Sequence, residues 1–264
     1  RLPGMRGDGL FHRMGFAIGQ NIQTPDDLEA RELIVDDVPY AGSLAFELNW
    51  LAFNDDVFRG YALVVGVIGP LSGAEHTQRH IHKAIGSSIP QGWDNQLPNE
   101  PAVNFNAMFK RKIARAKGPS AWSADVTVSG NFALGTGLTY VESALEFRAG
   151  FNLPRGFAFV PDPVGRSLAY DGTILSRHEP TSVYVSLITR ATYMQHFVFV
   201  DGSLWRDTHR VDMERSQTQT IIGLHFTRRK WGIHLTFWDG SSNVNTPTGG
   251  SGNDFGTIAF EWRI

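Results

Sequence analysis

Trp231-Gly232-Ile233-His234-Leu235-Thr236-Phe237-Trp238 alternates apolar and polar side chains with a period of two. The odd positions Trp231, Ile233, Leu235 and Phe237 oppose His234 and Thr236. Successive side chains of an extended strand point to opposite faces, so this stretch builds one apolar and one polar face. The same rhythm appears elsewhere. Phe46, Leu48 and Trp50 oppose Glu47 and Asn49, and Leu145 and Phe147 oppose Glu146 and Arg148. At the end of the chain Ile258, Phe260, Trp262 and Ile264 oppose Glu261 and Arg263.

A soluble β-sandwich gives this alternation with its apolar face inward. Three features favour the inverse arrangement, a transmembrane β-barrel that is apolar outside and polar within. The segments run to about 9–14 residues, against ~5–6 for globular strands. Charged residues recur mid-strand on the polar face, as with Glu47, Glu146 and Arg148. Aromatics, including Trp50, Phe53, Trp231 and Trp238, gather near segment ends as an interfacial girdle requires. Closure then leaves no backbone edge in lipid.

Strands are predicted near residues 11–23, 40–53, 57–69, 101–115, 120–133, 137–151, 182–201, 213–228, 230–240 and 254–264. Asn54-Asp55-Asp56 and Arg229-Lys230 read as tight hairpins. The Gly/Pro/Ser-rich stretches Asn152–Pro180 and Ser241–Asn253 read as longer loops on the extracellular side. No repeat beyond the strand rhythm and no linker divides the 264 residues, which predicts one domain.

The formal net charge of -2 leaves no electrostatic footprint for nucleic acid. The chain has no Cys, which removes disulfides and thiol chemistry. No apolar run approaches the ~18–20 residues of a membrane-crossing helix. The start at Arg1-Leu2-Pro3-Gly4 reads as a mature or truncated one.

Between Gly69 and Pro98 the alternation stops, and a short polar helix is expected. Glu75, Gln78 and His82 fall at i, i+3 and i+7, on one helical face. Ile81 and Ile85 form a neighbouring apolar strip suited to docking the helix on the barrel. An imidazole held near carboxylate and amide oxygens can act as general base on water. A histidine in a polar helix is more commonly a solvated residue, and that reading stands beside the catalytic one. The run His76-x-x-x-His80-x-His82 also has the spacing of a zinc cluster. Trp93 and Pro90 read as packing and turn residues. Asp36-Asp37 reads as a calcium ligand source or as a solvated turn.

Three spaced motifs together resemble the lipid A 3'-O-deacylase family of Gram-negative outer membranes. They are Asp37-Val38-Pro39-Tyr40-Ala41-Gly42, Gly69-Pro70 through His82-Lys83-Ala84-Ile85-Gly86, and Gly92-Trp93-Asp94-Asn95-Gln96-Leu97-x-Asn99-Glu100-Pro101. Gln20-Asn21-Ile22-x-Thr24-Pro25 matches the strand leading into the first of them. The resemblance implies a twelve-stranded outer-membrane barrel whose active site lies between the wall and the helix. It implies a monomer acting on lipid A or lipopolysaccharide among outer-membrane lipids. The activity implied is calcium-dependent hydrolysis of the 3'-linked acyloxyacyl group, with Ca²⁺ stabilising the oxyanion.

By motif position His82 is the catalytic histidine and Gln78 its helix partner; Asp37, Tyr40 and Glu75 are expected to bind substrate. Calcium is expected near the carbonyl of Gly86 and near Ser88, which stands where one branch of the family has a ligating carboxylate. Glu100 or Asp94 would compensate for that carboxylate. The family's Asn-Asp pair on its first strand has no counterpart before Gln20. With ten strands predicted, the family's first two are expected to be lacking. A non-catalytic barrel, either a small pore or a lipopolysaccharide-binding degenerate deacylase, is therefore the competing reading. A soluble β-sandwich binding module is the third.

Overall fold

The computed structural model describes residues 5, 7, 9–157, 181–242, 244 and 254–262. Ten strands are found there: β1 (Phe11–Gln23), β2 (Ala41–Phe53), β3 (Val57–Ile68), β4 (Glu100–Lys117), β5 (Trp122–Gly135), β6 (Leu138–Phe151), β7 (Ser182–Phe197), β8 (Ser216–Arg228), β9 (Trp231–Gly240) and β10 (Phe255–Trp262). A helix, α1 (Ala74–Ile85), follows β3, and a single turn, α2 (Val198–Asp201), follows β7. Each strand pairs antiparallel with the next in one sheet ordered β1 to β10. The predicted strands correspond to these nearly residue for residue. The larger departures are the start of the eighth, at Ser216 instead of residue 213, and the end of the seventh, where residues 198–201 turn into α2.

The register places the two faces as the alternation requires. Phe16 is 75% exposed, Phe237 53% and Ile258 81%, while Glu47 and Arg148 are each 1% exposed and His234 0%. Large apolar side chains therefore face outward and charged ones inward. In water this arrangement costs free energy on both faces; against lipid it is the stable one. Every strand neighbour satisfies backbone N–H and C=O groups that lipid cannot.

Two of the expected girdle aromatics lie inside instead. Phe53 packs with Leu51, Phe58 and Phe157. Trp238 is fully buried, stacked on Phe255, with its indole N–H donating to Thr236 Oγ1 at 3.0 Å. The reason is parity: Phe53 lies an odd number of positions after the outward Phe46, and Trp238 directly follows the outward Phe237, and position along a strand decides the face. The two long loops are likewise not on one side. With strict antiparallel order, the connection from β6 to β7 leaves the end of the sheet opposite to α1, and that from β9 to β10 leaves the end that α1 occupies. Residues 158–180, 243 and 245–253 within them lie outside the described residues.

Candidate active site

The segment from Gly69 to Asn99 is built to bring α1 against the wall. Gly69 adopts φ 94°, a conformation open to glycine, and a Cβ there would lie 2.6 Å from Pro98. A 3-10 turn, Pro70–Ser72, leads to Gly73 at φ 70°, which starts the helix. Gly86 ends it at φ 71°, its N–H bonding the His82 carbonyl. Glu75 in the first turn and Lys83 in the last complement the helix dipole.

The docking face is small-residue and polar. A Cβ on Gly42 would meet the Ala74 Cβ at 2.2 Å, so the missing side chain on β2 is what lets α1 approach. Gln20 on β1 donates to the Ser72 carbonyl at 2.6 Å. Ile81 and Ile85, expected to dock the helix, are 50% and 71% exposed and point away from the wall. The approach is too close for their branched side chains, and Ala74 and Gln78 occupy the buried positions instead.

Gln78 is 9% exposed and Trp93 1%. The Trp93 indole donates to Gln78 Oε1 at 3.0 Å, and its ring lies 5.1 Å from that of Tyr40. Tyr40 immediately precedes β2 and is itself held between elements. Its carbonyl accepts from Leu97 N at 2.9 Å, and a Cβ on Gly92 would strike its ring at 2.5 Å. Burial raises its phenol above the ordinary value, with the charge of Asp27 adding to the shift, so it remains a neutral donor.

His82 lies one turn after Gln78 and is half-buried. Its Nδ1 is 2.6 Å from the Ser88 carbonyl. A carbonyl only accepts, so Nδ1 carries the proton and Nε2 keeps its lone pair. The strand-free stretch after Gly86 thus orients the imidazole by its backbone.

Gln78, His82, Gly86 and Ser88 are therefore brought together, with Tyr40 behind them through Trp93. Other predicted residues make their contacts elsewhere. Asp37 Oδ2 accepts from Asp26 N at 2.8 Å and Oδ1 from Val38 N at 2.7 Å, which organises the loop between β1 and β2. Glu75 pairs with Arg79 at 2.9 Å on the outer side of the helix. Glu100, at the start of β4, accepts a short hydrogen bond from the Ser203 hydroxyl. Asp94 is exposed.

A zinc site in the histidine run finds no support. The His80 Nδ1 is engaged by the His76 carbonyl at 2.8 Å, and among the described residues no three His, Asp or Glu side chains gather to hold a metal. The same observation bears on calcium. A hard cation takes about six to eight oxygen ligands, carboxylates prominent among them. The described residues offer backbone carbonyls at the end of α1, one already accepting from His82, and no cluster of three acidic or histidine side chains gathers among the described residues to complete a shell. They do not by themselves make up a calcium site.

Trp93 is the residue that sequence reasoning underrated. A buried indole N–H demands an acceptor, which was a signal, but nothing in the spacing says that the acceptor is Gln78.

The family described as Outer membrane protein LpxR matches residues 2–264. The chain belongs to that family. Among solved structures, LpxR from Salmonella typhimurium superposes with a TM-score of 0.81 at 16% identity, covering 96% of this chain and 84% of that one. At that identity the likeness establishes the fold, an antiparallel outer-membrane β-barrel. No curated protein matches. Membership places this LpxR relative in the outer membrane, among proteins of the lipid A deacylase type.

Proposed function

We propose that this LpxR-family chain hydrolyses the 3'-linked acyloxyacyl ester of lipid A, with His82 as general base. The observation that carries the reading is the hydrogen bond from His82 Nδ1 to the Ser88 carbonyl, on a helix fixed to the barrel wall. It leaves Nε2 as the basic nitrogen and restrains the ring, as water activation requires. In the reaction Nε2 takes a proton from water as its oxygen bonds to the ester carbonyl carbon. The tetrahedral intermediate then collapses, the bond to the sugar 3'-oxygen breaks, and that oxygen takes the proton from the imidazolium. The products are the free acyloxyacyl acid and a lipid A with a 3'-hydroxyl.

Calcium dependence, implied by the family resemblance, belongs to this reading and has its own test.

The test is mass spectrometry of lipid A incubated with the detergent-folded protein, with Ca²⁺ and with chelator. Loss of the 3'-acyloxyacyl mass is expected, and its suppression by chelator supports the calcium requirement. His82→Ala is predicted to lower the rate by about 10²–10⁴-fold, the usual contribution of a general base, while the barrel keeps its heat-modifiable mobility. Full activity in that variant removes His82 as the base. An unchanged lipid A spectrum with the unmodified protein would favour the non-catalytic, lipopolysaccharide-binding barrel.

A further inference from the structure

The Gln78 carboxamide has two chemically opposite ends, an oxygen that accepts and an NH₂ that donates. The partner here decides which end faces which way. The Trp93 indole nitrogen is a donor only, and it lies 3.0 Å from Gln78 Oε1 with both side chains buried. The amide is therefore held with its oxygen toward Trp93 and its NH₂ turned away from the indole. Gln78 sits one helical turn before His82 on the same face. Trp93 in turn has little freedom to move. It is 1% exposed, packed with Tyr40 and Ala74 and against Ile22, and carried by a 3-10 turn whose Asn95 side chain is tied to the Arg31 carbonyl at 2.7 Å.

We propose that Trp93 is a positioning residue that fixes the Gln78 amide so that its NH₂ donates to the oxyanion formed during attack on the acyl ester. This rests on the reading of His82 as the base of a deacylase. A donor aimed in advance at developing charge costs no reorganisation when the charge appears, which is why such groups favour the transition state over the bound ester. Without the indole N–H the amide can rotate by half a turn and present its oxygen, which repels an oxyanion.

The experiment is a double-mutant cycle on the full chain in detergent, with lipid A bearing a 3'-acyloxyacyl chain as substrate. Trp93→Phe keeps an aromatic ring against Tyr40 and removes the N–H. Gln78→Met keeps the length and removes both ends of the amide. The expected results are a kcat about tenfold lower for Trp93→Phe and about a hundredfold lower for Gln78→Met. KM should stay within about twofold for each. The double variant should match Gln78→Met alone, because an absent amide needs no positioning. The pH dependence of kcat should not move, since Ser88 still holds His82.

A bond that merely satisfies a buried indole predicts something else: a lower melting temperature in both variants with kcat per folded molecule unchanged. That result, or losses that multiply in the double variant, overturns the proposal. If Trp93→Phe does not fold, Gln78→Met decides, and an unaltered kcat there overturns it equally. Absence of deacylation by the unmodified protein defeats the underlying reading and this proposal with it. Activity in the unmodified protein alongside unaltered variants defeats the proposal alone.

Discussion

His82 and Ser88 show how little of a catalytic arrangement need be side-chain chemistry. The imidazole is oriented by a backbone carbonyl, so the identity of residue 88 matters only through the course of its main chain. Ser88→Ala is accordingly expected to keep deacylase activity within about twofold, because the hydrogen bond costs nothing to retain. A loss beyond tenfold in a lipid A mass assay would instead mark the hydroxyl as a ligand. The positions of His82 and Gln78 were legible, since i and i+4 spacing alone puts them on one face. The tautomer of one and the amide orientation of the other were not. Both depend on partners at Ser88 and Trp93 that the chain brings back only by leaving the helix and turning.

At the level of the element, α1 depends on the absence of a side chain. Gly42 on β2 gives Ala74 and Ser72 the room to sit against the wall. Gly42→Val would drive its methyls into a contact already at 2.2 Å for a single Cβ. Overpacking of that kind costs about 1–3 kcal/mol, and the helix is the part free to give way. The prediction is a large loss of activity with heat-modifiable folding of the barrel preserved; activity near that of the unmodified protein would show that α1 need not dock here. The helix itself could be read from its sequence, from the loss of alternation between two glycines. Its docking face could not, because an apolar strip at Ile81 and Ile85 looks like the natural contact. The space available, set by the strand beneath, selects Ala74 and Gln78.

For the whole molecule the telling feature is the charged interior. Arg148 pairs with Asp125 at 2.5 Å and donates to the carbonyls of Pro154 at 3.2 Å and Gly156 at 2.9 Å. Lys112 holds the same aspartate at 3.0 Å, and Lys110 pairs with Glu146 at 2.6 Å. Residues 152–157 thus fold back over the inner face of the sheet, where Phe157 is buried on Phe58. On the neighbouring wall His225 joins Ser186 at 2.8 Å and His234 at 2.9 Å. Bonded to one another in this way, these inward side chains form a polar core among the described residues. Removing one member of a buried ion pair costs about 3–5 kcal/mol. For Arg148→Ala the low end is expected, because Lys112 stays on Asp125. The temperature at which the folded gel mobility is lost should fall by several degrees. No change would mean that Arg148 is not a keystone of this interior.

The alternation at Trp231–Trp238 and its counterparts, read with strand length, decided by themselves that the sheet is inside-out, that its strands lie where they do and that one helix interrupts them. These are local properties, fixed by the two-residue period of a strand and by breaks in it. Tertiary structure alone decided which side chains dock α1, and that Trp93 meets Gln78 while Ser88 meets His82. Each of those is a contact between segments distant in conformation, and its geometry exists only once the wall, the helix and the returning loop share one place.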